Sequence, residues 1–269
     1  MKKILPLKRE DDLVCLARKI VYQQKPYWCN ASCRQLSLSL MKPREYFDYD
    51  PVKRYPLIVF ICGGGFEKED NTVWTPELAY FAKHGYVVAC VDYSVLPFTK
   101  WPEQIQEIKE AIRFLRAHAE QFGILPDKVA VMGESAGGYL AALAGVSGET
   151  REYDTGGYPD QSSAVQAAVP WYPVVNIPAH DLSQLHISKE GFIDCTQLIT
   201  ENTPPFFIVH GTGDEQVPYT ESEYLYQKLQ DAGVDSDLVL VEGAGHADAA
   251  VIQDEIKEMM LEFLDKHLK

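Results

Sequence analysis

The sequence predicts an α/β fold in which helices cover both faces of a mostly parallel β-sheet. Short apolar segments rich in β-branched residues alternate with longer amphipathic segments along most of the 269 residues, and this alternation is typical of repeated strand–helix units. The strand candidates are apolar at nearly every position, as expected for parallel strands that are buried on both faces. Folds of this class often reach ~250 residues in one domain, so we predict a single domain over residues 1–269.

The predicted sheet begins with an edge strand. Residues 35–41 alternate apolar and polar side chains, which predicts an antiparallel edge strand ahead of the core. Core strands are predicted at residues 57–62, 86–92, 128–132, 165–169, 206–210 and 236–241. Residues 1–34 show no comparable pattern, and we treat them as an N-terminal extension.

The predicted helices lie between these strands and after the last one. The clearest helical period is Ile105, Ile108, Ile112 and Leu115, at spacings of three and four, which places one apolar stripe on a helix. The helix candidates are residues 76–84, 102–122, 136–147, 219–232 and 249–267.

Residues 148–205 depart from the strand–helix rhythm. They contain one clear strand, and residues 171–205 then carry scattered Pro, His, Gly and Asp. In α/β folds, ligands bind outside the carboxyl ends of the strands, and long loops are often functional. We predict a small cap or pocket wall over approximately residues 171–205; a plain surface excursion is the alternative.

The composition argues against several classes of partner. Acidic residues outnumber basic ones by 39 to 25, giving a formal charge of −14. Such a surface repels nucleic acids and anionic lipids, so we expect neither as a partner. The longest apolar stretch, residues 57–62, is far shorter than the ~20 residues of a membrane-spanning helix. The N-terminal residues lack the apolar core of a secretory signal, and none is expected.

The six cysteines do not form a recognisable disulfide or metal pattern. Cys62 and Cys90 lie in apolar, strand-like segments, where a thiol packs as a small hydrophobe. Cys29 and Cys33 lack a second close Cys/His pair, which argues against a zinc site. Such a distribution favours a reducing compartment, and we expect a cytoplasmic protein.

The strongest chemical signal is the sequence GESAGG, residues 133–138. It follows a predicted strand and precedes a small-residue helix, which is the strand–turn–helix context of a nucleophile elbow. Ser135 would sit on a sharp turn, where Gly133 and Gly137 avoid steric clashes. The helix N-terminus behind it supplies unpaired N–H groups for an oxyanion. The alternative is a tight turn with a serine helix cap.

A serine nucleophile needs a histidine base, and in this strand–turn–helix arrangement the acid and then the histidine follow it in the chain. His246 fits best, because it lies in the sequence GAGH just after the predicted strand 236–241. The other histidines lie in helices, at a strand end or in the irregular segment: His84, His118, His180, His186, His210 and His267. Of these, His180 and His186 are predicted at the surface, with a role in the pocket left open.

The acid should follow a strand between the serine and the histidine. Asp214 follows the predicted strand 206–210 and two glycines, and its carboxylate would orient the histidine and stabilise the imidazolium. Glu215 is the alternative acid. An aspartate in a glycine-rich turn is otherwise common for structural reasons alone.

A second source of oxyanion donors is the glycine loop, which we define as residues 62–66 with the sequence CGGGF. Three glycines after a predicted strand can present backbone N–H groups closely to a ligand, because no Cβ obstructs the approach.

Together, CGGGF, VDYS, GESAGG, HGTGDEQVP and GAGH resemble the α/β-hydrolase carboxylesterases, and most of all the bacterial esterases related to hormone-sensitive lipase, including acetyl xylan and feruloyl esterase-like members. The resemblance extends from about residue 35 to the C-terminus. It implies an α/β-hydrolase fold with about eight strands. It also implies the nucleophile Ser135, the acid Asp214 and the base His246, with oxyanion donors at Gly64, Gly65 and Ala136.

Two positions depart from this family pattern. The family usually has a histidine before the three glycines, where this chain has Cys62. It often has an arginine after Asp-Tyr, where Asp92-Tyr93 is followed by Ser94. The glycine loop is therefore expected to be anchored differently, and the contact made by that arginine is not carried over.

These observations predict a serine ester hydrolase that needs no metal or organic cofactor and acts on small-molecule esters with an acetyl-sized acyl group, including acetylated carbohydrates. Four aromatic residues adjoin the motifs and would either wall a narrow pocket or pack in the core: Phe66, Tyr139, Trp171 and Tyr172. The rival functions are a serine peptidase of the same fold and a non-catalytic binding module. A homo-oligomer is left open.

Overall fold

The computed structural model describes residues 1–6, 13–27, 32–44, 52–68, 70–180 and 189–269. Its sheet has eight strands in the order β1-β2-β4-β3-β5-β6-β7-β8. The strands are β1 Val14–Tyr27, β2 Ser32–Pro43, β3 Tyr55–Ile61, β4 Val87–Val91, β5 Ile124–Glu134, β6 Ala167–Trp171, β7 Phe206–Gly211 and β8 Ser236–Val241. β1 pairs with β2 and β2 with β4 in antiparallel fashion, and every other pairing is parallel. The predicted fold class is confirmed.

Helices lie on both faces of the sheet. They are α1 Thr75–Lys83, α2 Glu103–Ala117, α3 Ala119–Phe122, α4 Ala136–Val146, α5 Thr220–Asp231 and α6 Asp254–Leu268. Successive residues of β3 point to opposite faces. Val59 joins the core formed with α2, α4 and α5, and Phe60 joins the core formed with α1 and α6.

Three predicted elements differ from the structure. The predicted helix 102–122 is divided at His118 into α2 and α3, and the predicted helix 249–267 begins with a 3-10 turn, Ala249–Ile252, before α6. The predicted strand 165–169 is shifted by two residues, to β6.

Within the N-terminal extension, residues 14–27 form strand β1, which the sequence pattern did not predict. β1 is an edge strand with register irregularities at Ala17/Ile20 and Val21/Gln23. Most of its side chains are exposed or half-buried, so the segment lacks the apolar run that identifies a core strand.

The irregular stretch after α4 packs back on the domain. Asp154 lies 3.5 Å from Lys109 Nζ and 3.3 Å from Arg113 Nη1, and all three side chains are buried. Further on, Asn176 and Asp194 form an isolated antiparallel bridge. Within the described residues, no helix is long and apolar enough to cross a membrane.

Candidate active site

Ser135 occupies the sharp turn between β5 and α4. Its backbone has φ 54° and ψ −119°, a conformation that is strained for a residue with a side chain and is typical of functional sites. A Cβ on Gly133 would lie 2.3 Å from the carbonyl oxygen of Gly137, and one on Gly137 would lie 2.1 Å from that of Ile61. Glycine at both positions is therefore required for this turn to form.

The structure brings His246 and Asp214 into line with Ser135. His246 Nε2 lies 2.9 Å from Ser135 Oγ, and its Nδ1 lies 2.6 Å from Asp214 Oδ2. Because an ionised carboxylate only accepts hydrogen bonds, Nδ1 carries the proton, and Nε2 accepts from the serine hydroxyl. The ring of Tyr172 packs edge-on against the imidazole, with centroids 4.9 Å apart.

Asp214 is held as an ionised carboxylate. Its Oδ1 accepts the backbone N–H groups of Gln216 and Val217, both at 2.9 Å, and its Oδ2 lies 3.3 Å from His210 Nε2. Burial raises the pKa of Asp214, but the hydrogen bonds from His210, His246 and Val217 outweigh burial, so the pKa lies well below its usual range. Glu215, the alternative acid, is exposed.

His210 is buried and also contacts the Asp214 carboxylate. Its Nε2 lies 2.9 Å from the carbonyl oxygen of Val217, and its Nδ1 lies 2.7 Å from Ser222 Oγ. A carbonyl only accepts, so Nε2 carries the proton, and Nδ1 accepts from the serine hydroxyl.

The glycine loop faces Ser135 across a cavity. Gly64 and Gly65 have φ values of 117° and 62°, which favour glycine. Among the described residues, the N–H groups of Gly64, Gly65 and Ala136 have no hydrogen-bond partner in the protein. They are therefore open to an oxygen of a bound ligand.

The glycine loop is anchored without the histidine that the family pattern has at position 62. Gly63 N–H donates to Glu134 Oε1 at 2.5 Å, and the Tyr93 hydroxyl donates to the Cys62 carbonyl at 2.8 Å. The Cys62 thiol donates to the Asp70 carbonyl at 3.3 Å. Glu134, directly before Ser135, thus connects the turn at Ser135 to the glycine loop.

The cavity above Ser135 has a volume of about 680 Å³. Its wall includes the glycine loop, Trp74, Ser135 and His246. Its other charged and polar lining residues are Glu67, Lys68, Asp70, Glu134, His180 and Gln216. Among the described residues, no cluster of three or more His, Cys, Asp or Glu side chains could hold a metal ion.

A family model supplies the identification. The BD-FAE model matches residues 46–193 and 188–229 of this chain, a span that includes the glycine loop, Ser135 and Asp214. The chain belongs to the BD-FAE family.

Relatives of this BD-FAE chain are esterases. Esterase LipC of Mycobacterium tuberculosis is 30% identical over 217 residues, which cover 73% of this chain and 54% of LipC. The chain spans about half the length of the curated relatives it matches first. The resemblance to esterases of the α/β-hydrolase fold is thereby confirmed.

Two solved structures are similar over nearly the whole BD-FAE chain. Thermogutta terrifontis esterase 2, in a form phosphonylated by cyclosarin, has a TM-score of 0.76 and 28% identity, with 93% of each chain covered. A truncated carbohydrate esterase from gut microbiota has a TM-score of 0.81 and 23% identity, covering 96% of this chain and 98% of its own. The similarity to the carbohydrate esterase, at 23% identity, shows that the two chains share a fold.

Of the four aromatic residues predicted to wall the pocket, only Phe66 lines the cavity. Tyr139, Trp171 and Tyr172 are buried behind the wall, which corrects the prediction for these three. Tyr139 supports Phe66 edge-on, and Trp171 supports Trp74 edge-on. Tyr139 directly follows the sequence GESAGG and Trp171 ends β6, but both side chains point into the core.

Sequence reasoning missed several wall residues. Trp74 and Gln216 line the cavity without having been singled out, and His180 was placed at the surface with a pocket role left open. His186 and Cys29 lie outside the described residues. The segment 171–205, predicted as a cap or pocket wall, contributes Val174 and His180 to the cavity.

Proposed function

We propose that the protein hydrolyses carboxylic esters with small acyl groups through an acyl-enzyme on Ser135. The observation that carries the proposal is the continuous relay from Ser135 Oγ to His246 Nε2 at 2.9 Å and from His246 Nδ1 to Asp214 Oδ2 at 2.6 Å. A neutral imidazole that is oriented by a carboxylate can take the serine proton as general base.

In the first half of the reaction, Ser135 Oγ attacks the ester carbonyl carbon while His246 Nε2 takes the hydroxyl proton. The negative charge on the carbonyl oxygen is stabilised by the N–H groups of Gly64 or Gly65 and Ala136. His246 then gives its proton to the departing alcohol, leaving the acyl group on Ser135. Asp214 stabilises the imidazolium that forms between these two proton transfers.

In the second half, a water molecule replaces the alcohol. His246 takes a proton from the water as its oxygen attacks the acyl carbon, and the same N–H groups stabilise the second oxyanion. Collapse of this intermediate breaks the bond to Ser135 Oγ, which regains the proton from His246.

We further propose that the alcohol portion is polar, as in an acetylated carbohydrate. The cavity lining combines the aromatic residues Phe66 and Trp74 with polar residues such as His180 and Gln216, a combination suited to a hydroxylated ring. The structurally similar carbohydrate esterase from gut microbiota is in keeping with this substrate class.

Comparing wild type with Ser135→Ala on p-nitrophenyl acetate tests the proposal. Loss of the nucleophile should lower kcat by about 10⁶, and a phosphonate should label Ser135 alone. The matched control is Ser147→Ala, a buried serine at the opposite end of α4, which should keep turnover. A Ser135→Ala variant with a tenth of wild-type turnover contradicts the proposal, and faster cleavage of aminoacyl-anilides than of esters favours a peptidase.

A further inference from the structure

A second histidine, outside the Ser135 relay, lines the same cavity. His180 follows the 3-10 turn Ile177–Ala179 and shares the cavity wall with Ser135 and His246. Its side chain is 26% exposed, and its Nε2 lies 2.9 Å from Glu221 Oε1. The chemistry described above does not use this pair.

The carboxylate beside His180 is fixed in position. Glu221 lies in the first turn of α5, and its side chain is only 12% exposed. Its Oε2 accepts the N–H groups of Val175 and Asn176 at 2.8 and 2.9 Å. Two backbone bonds hold the carboxylate, which leaves Oε1 to face the imidazole.

This arrangement determines which polar atom His180 offers to the cavity. Glu221 Oε1 lies 2.9 Å from Nε2 without the alignment of a hydrogen bond, and its negative charge favours the tautomer with the proton on Nε2 and the lone pair on Nδ1. Among the described residues, Nδ1 has no hydrogen-bond partner. In this tautomer His180, which lines the same cavity as Ser135, keeps an acceptor on Nδ1 that no described residue uses.

We propose that His180 is a specificity-determining residue whose Nδ1 accepts a hydrogen bond from a hydroxyl group of the substrate, with the charge of Glu221 favouring the required tautomer. The inference rests on the proposed ester hydrolysis. Because an acetyl-sized acyl group has no hydroxyl, the hydroxyl that is recognised belongs to the alcohol portion. The preferred substrate is then the ester of a polyol in which at least one hydroxyl is unesterified.

A purely structural role for His180 makes a different prediction. The loop that carries it is already tied to α5 through the bonds from Val175 and Asn176 to Glu221. If His180 only adds to this anchor, its loss lowers thermal stability and changes the turnover of all esters alike. A recognition role changes the ratio between substrates with and without the hydroxyl.

The test compares glyceryl monoacetate with n-propyl acetate, which share acyl group and carbon skeleton and differ in hydroxyl groups. The measured quantity is kcat/KM for glyceryl monoacetate divided by kcat/KM for n-propyl acetate. His180→Phe keeps the ring and removes both nitrogens, and the ratio should fall about tenfold, as expected for one hydrogen bond. His84→Phe, an exposed histidine outside the cavity wall, is the matched control and should keep the wild-type ratio.

Glu221→Gln provides a second, independent variant. Its amide oxygen can still accept from Val175 and Asn176, while its amide NH2 is a donor and disfavours a proton on Nε2. The ratio should again fall, even if His180→Phe does not fold. An unchanged ratio in a folded His180→Phe, or in Glu221→Gln, overturns the inference while ester hydrolysis stands; wild-type protein that hydrolyses neither ester overturns both.

Discussion

The N–H of Gly63 donates to Oε1 of Glu134 over 2.5 Å, so the residue directly before Ser135 holds the loop that faces Ser135. Glu134 is buried, and its carboxylate adjoins the Tyr172 hydroxyl. Burial, followed by this negative charge, raises the pKa of Tyr172 well above its usual range, so the hydroxyl stays protonated. The glycine loop and the start of α4, which carry the proposed oxyanion donors, are thereby fixed relative to each other.

Removing this connection should weaken stabilisation of the oxyanion. Glu134→Ala should lower kcat by about 10- to 100-fold with a smaller change in KM, since loss of one oxyanion donor costs ~3 kcal/mol and here the donors are displaced rather than deleted. Glu134→Gln keeps an acceptor for Gly63 N–H and should recover most of the activity. Steady-state kinetics with p-nitrophenyl acetate measures both.

The matched control for Glu134 is Glu67→Ala, because Glu67 also lines the cavity but is exposed. Its kcat should stay within about threefold of wild type, since an exposed carboxylate contributes little to a fixed geometry. If Glu134→Ala and Glu67→Ala behave alike, the connection between Glu134 and Gly63 does not position the oxyanion donors.

Two histidines contact Asp214, and their substitutions should differ in effect. His246→Ala removes the base and should lower kcat almost as far as Ser135→Ala, because the two residues act as one unit. His210→Ala removes a brace that lies 3.3 Å from Asp214 Oδ2 and should cost about 10- to 100-fold, since Gln216 and Val217 still hold the carboxylate.

Circular dichroism decides whether each histidine variant is folded before its kinetics are compared. A folded His210→Ala as inactive as His246→Ala would show that the base is assigned to the wrong histidine. Substitutions elsewhere on the cavity wall, such as at His180, should alter substrate preference much more than they alter turnover of p-nitrophenyl acetate.

Some features of the fold and of the site were predictable from the sequence alone, and others were not. Ser135, Asp214 and His246 each follow a predicted core strand in short glycine-rich sequences, and the ends of parallel strands lie at one edge of the sheet. Their convergence in space was therefore predictable from chain order and strand type. The apolar runs of β3 to β8 likewise made the parallel sheet predictable from the sequence.

Other features depend on packing that no local pattern encodes. Tyr139, Trp171 and Tyr172 adjoin the motifs in the chain, but the direction of a side chain depends on the twist and ending of its own strand or helix. The His180–Glu221 pair joins an irregular segment to α5, and its contact exists only in the folded chain. The sequence pattern did not predict β1, because an exposed edge strand lacks a continuous apolar run.

Ionisation of Asp214 should make the stability of the protein depend on pH in the acid range. The pKa of Asp214 is lower in the folded protein than the value of about 3.9 for an unfolded chain. Its contribution is therefore fully present above about pH 5, and it is lost as the pH falls through 3.9 toward the folded pKa. Melting temperatures of wild type should drop over this range.

Asp214→Asn removes the titrating group and should flatten that part of the pH profile. Above pH 5 the variant should be less stable than wild type, and the gap should narrow as the pH falls below 4. Glu215→Gln is the matched control, because Glu215 is the exposed neighbour. A gap between wild type and Asp214→Asn that widens on acidification contradicts the depressed pKa.

Cys62 should support the glycine loop without taking part in catalysis. Its thiol donates to the Asp70 carbonyl at 3.3 Å and lies 3.7 Å from Glu134 Oε1, and the neighbouring carboxylate disfavours a reactive thiolate. Cys62→Ser should be folded, because a hydroxyl can make the same bond to Asp70, and kcat should fall less than tenfold, because the loop N–H groups are unchanged. Iodoacetamide separates this structural role from a nucleophilic one, since the thiol is buried and should react slowly. Rapid inactivation with Cys62 alkylated, prevented by an ester substrate and absent in Cys62→Ser, would make the thiol part of the chemistry.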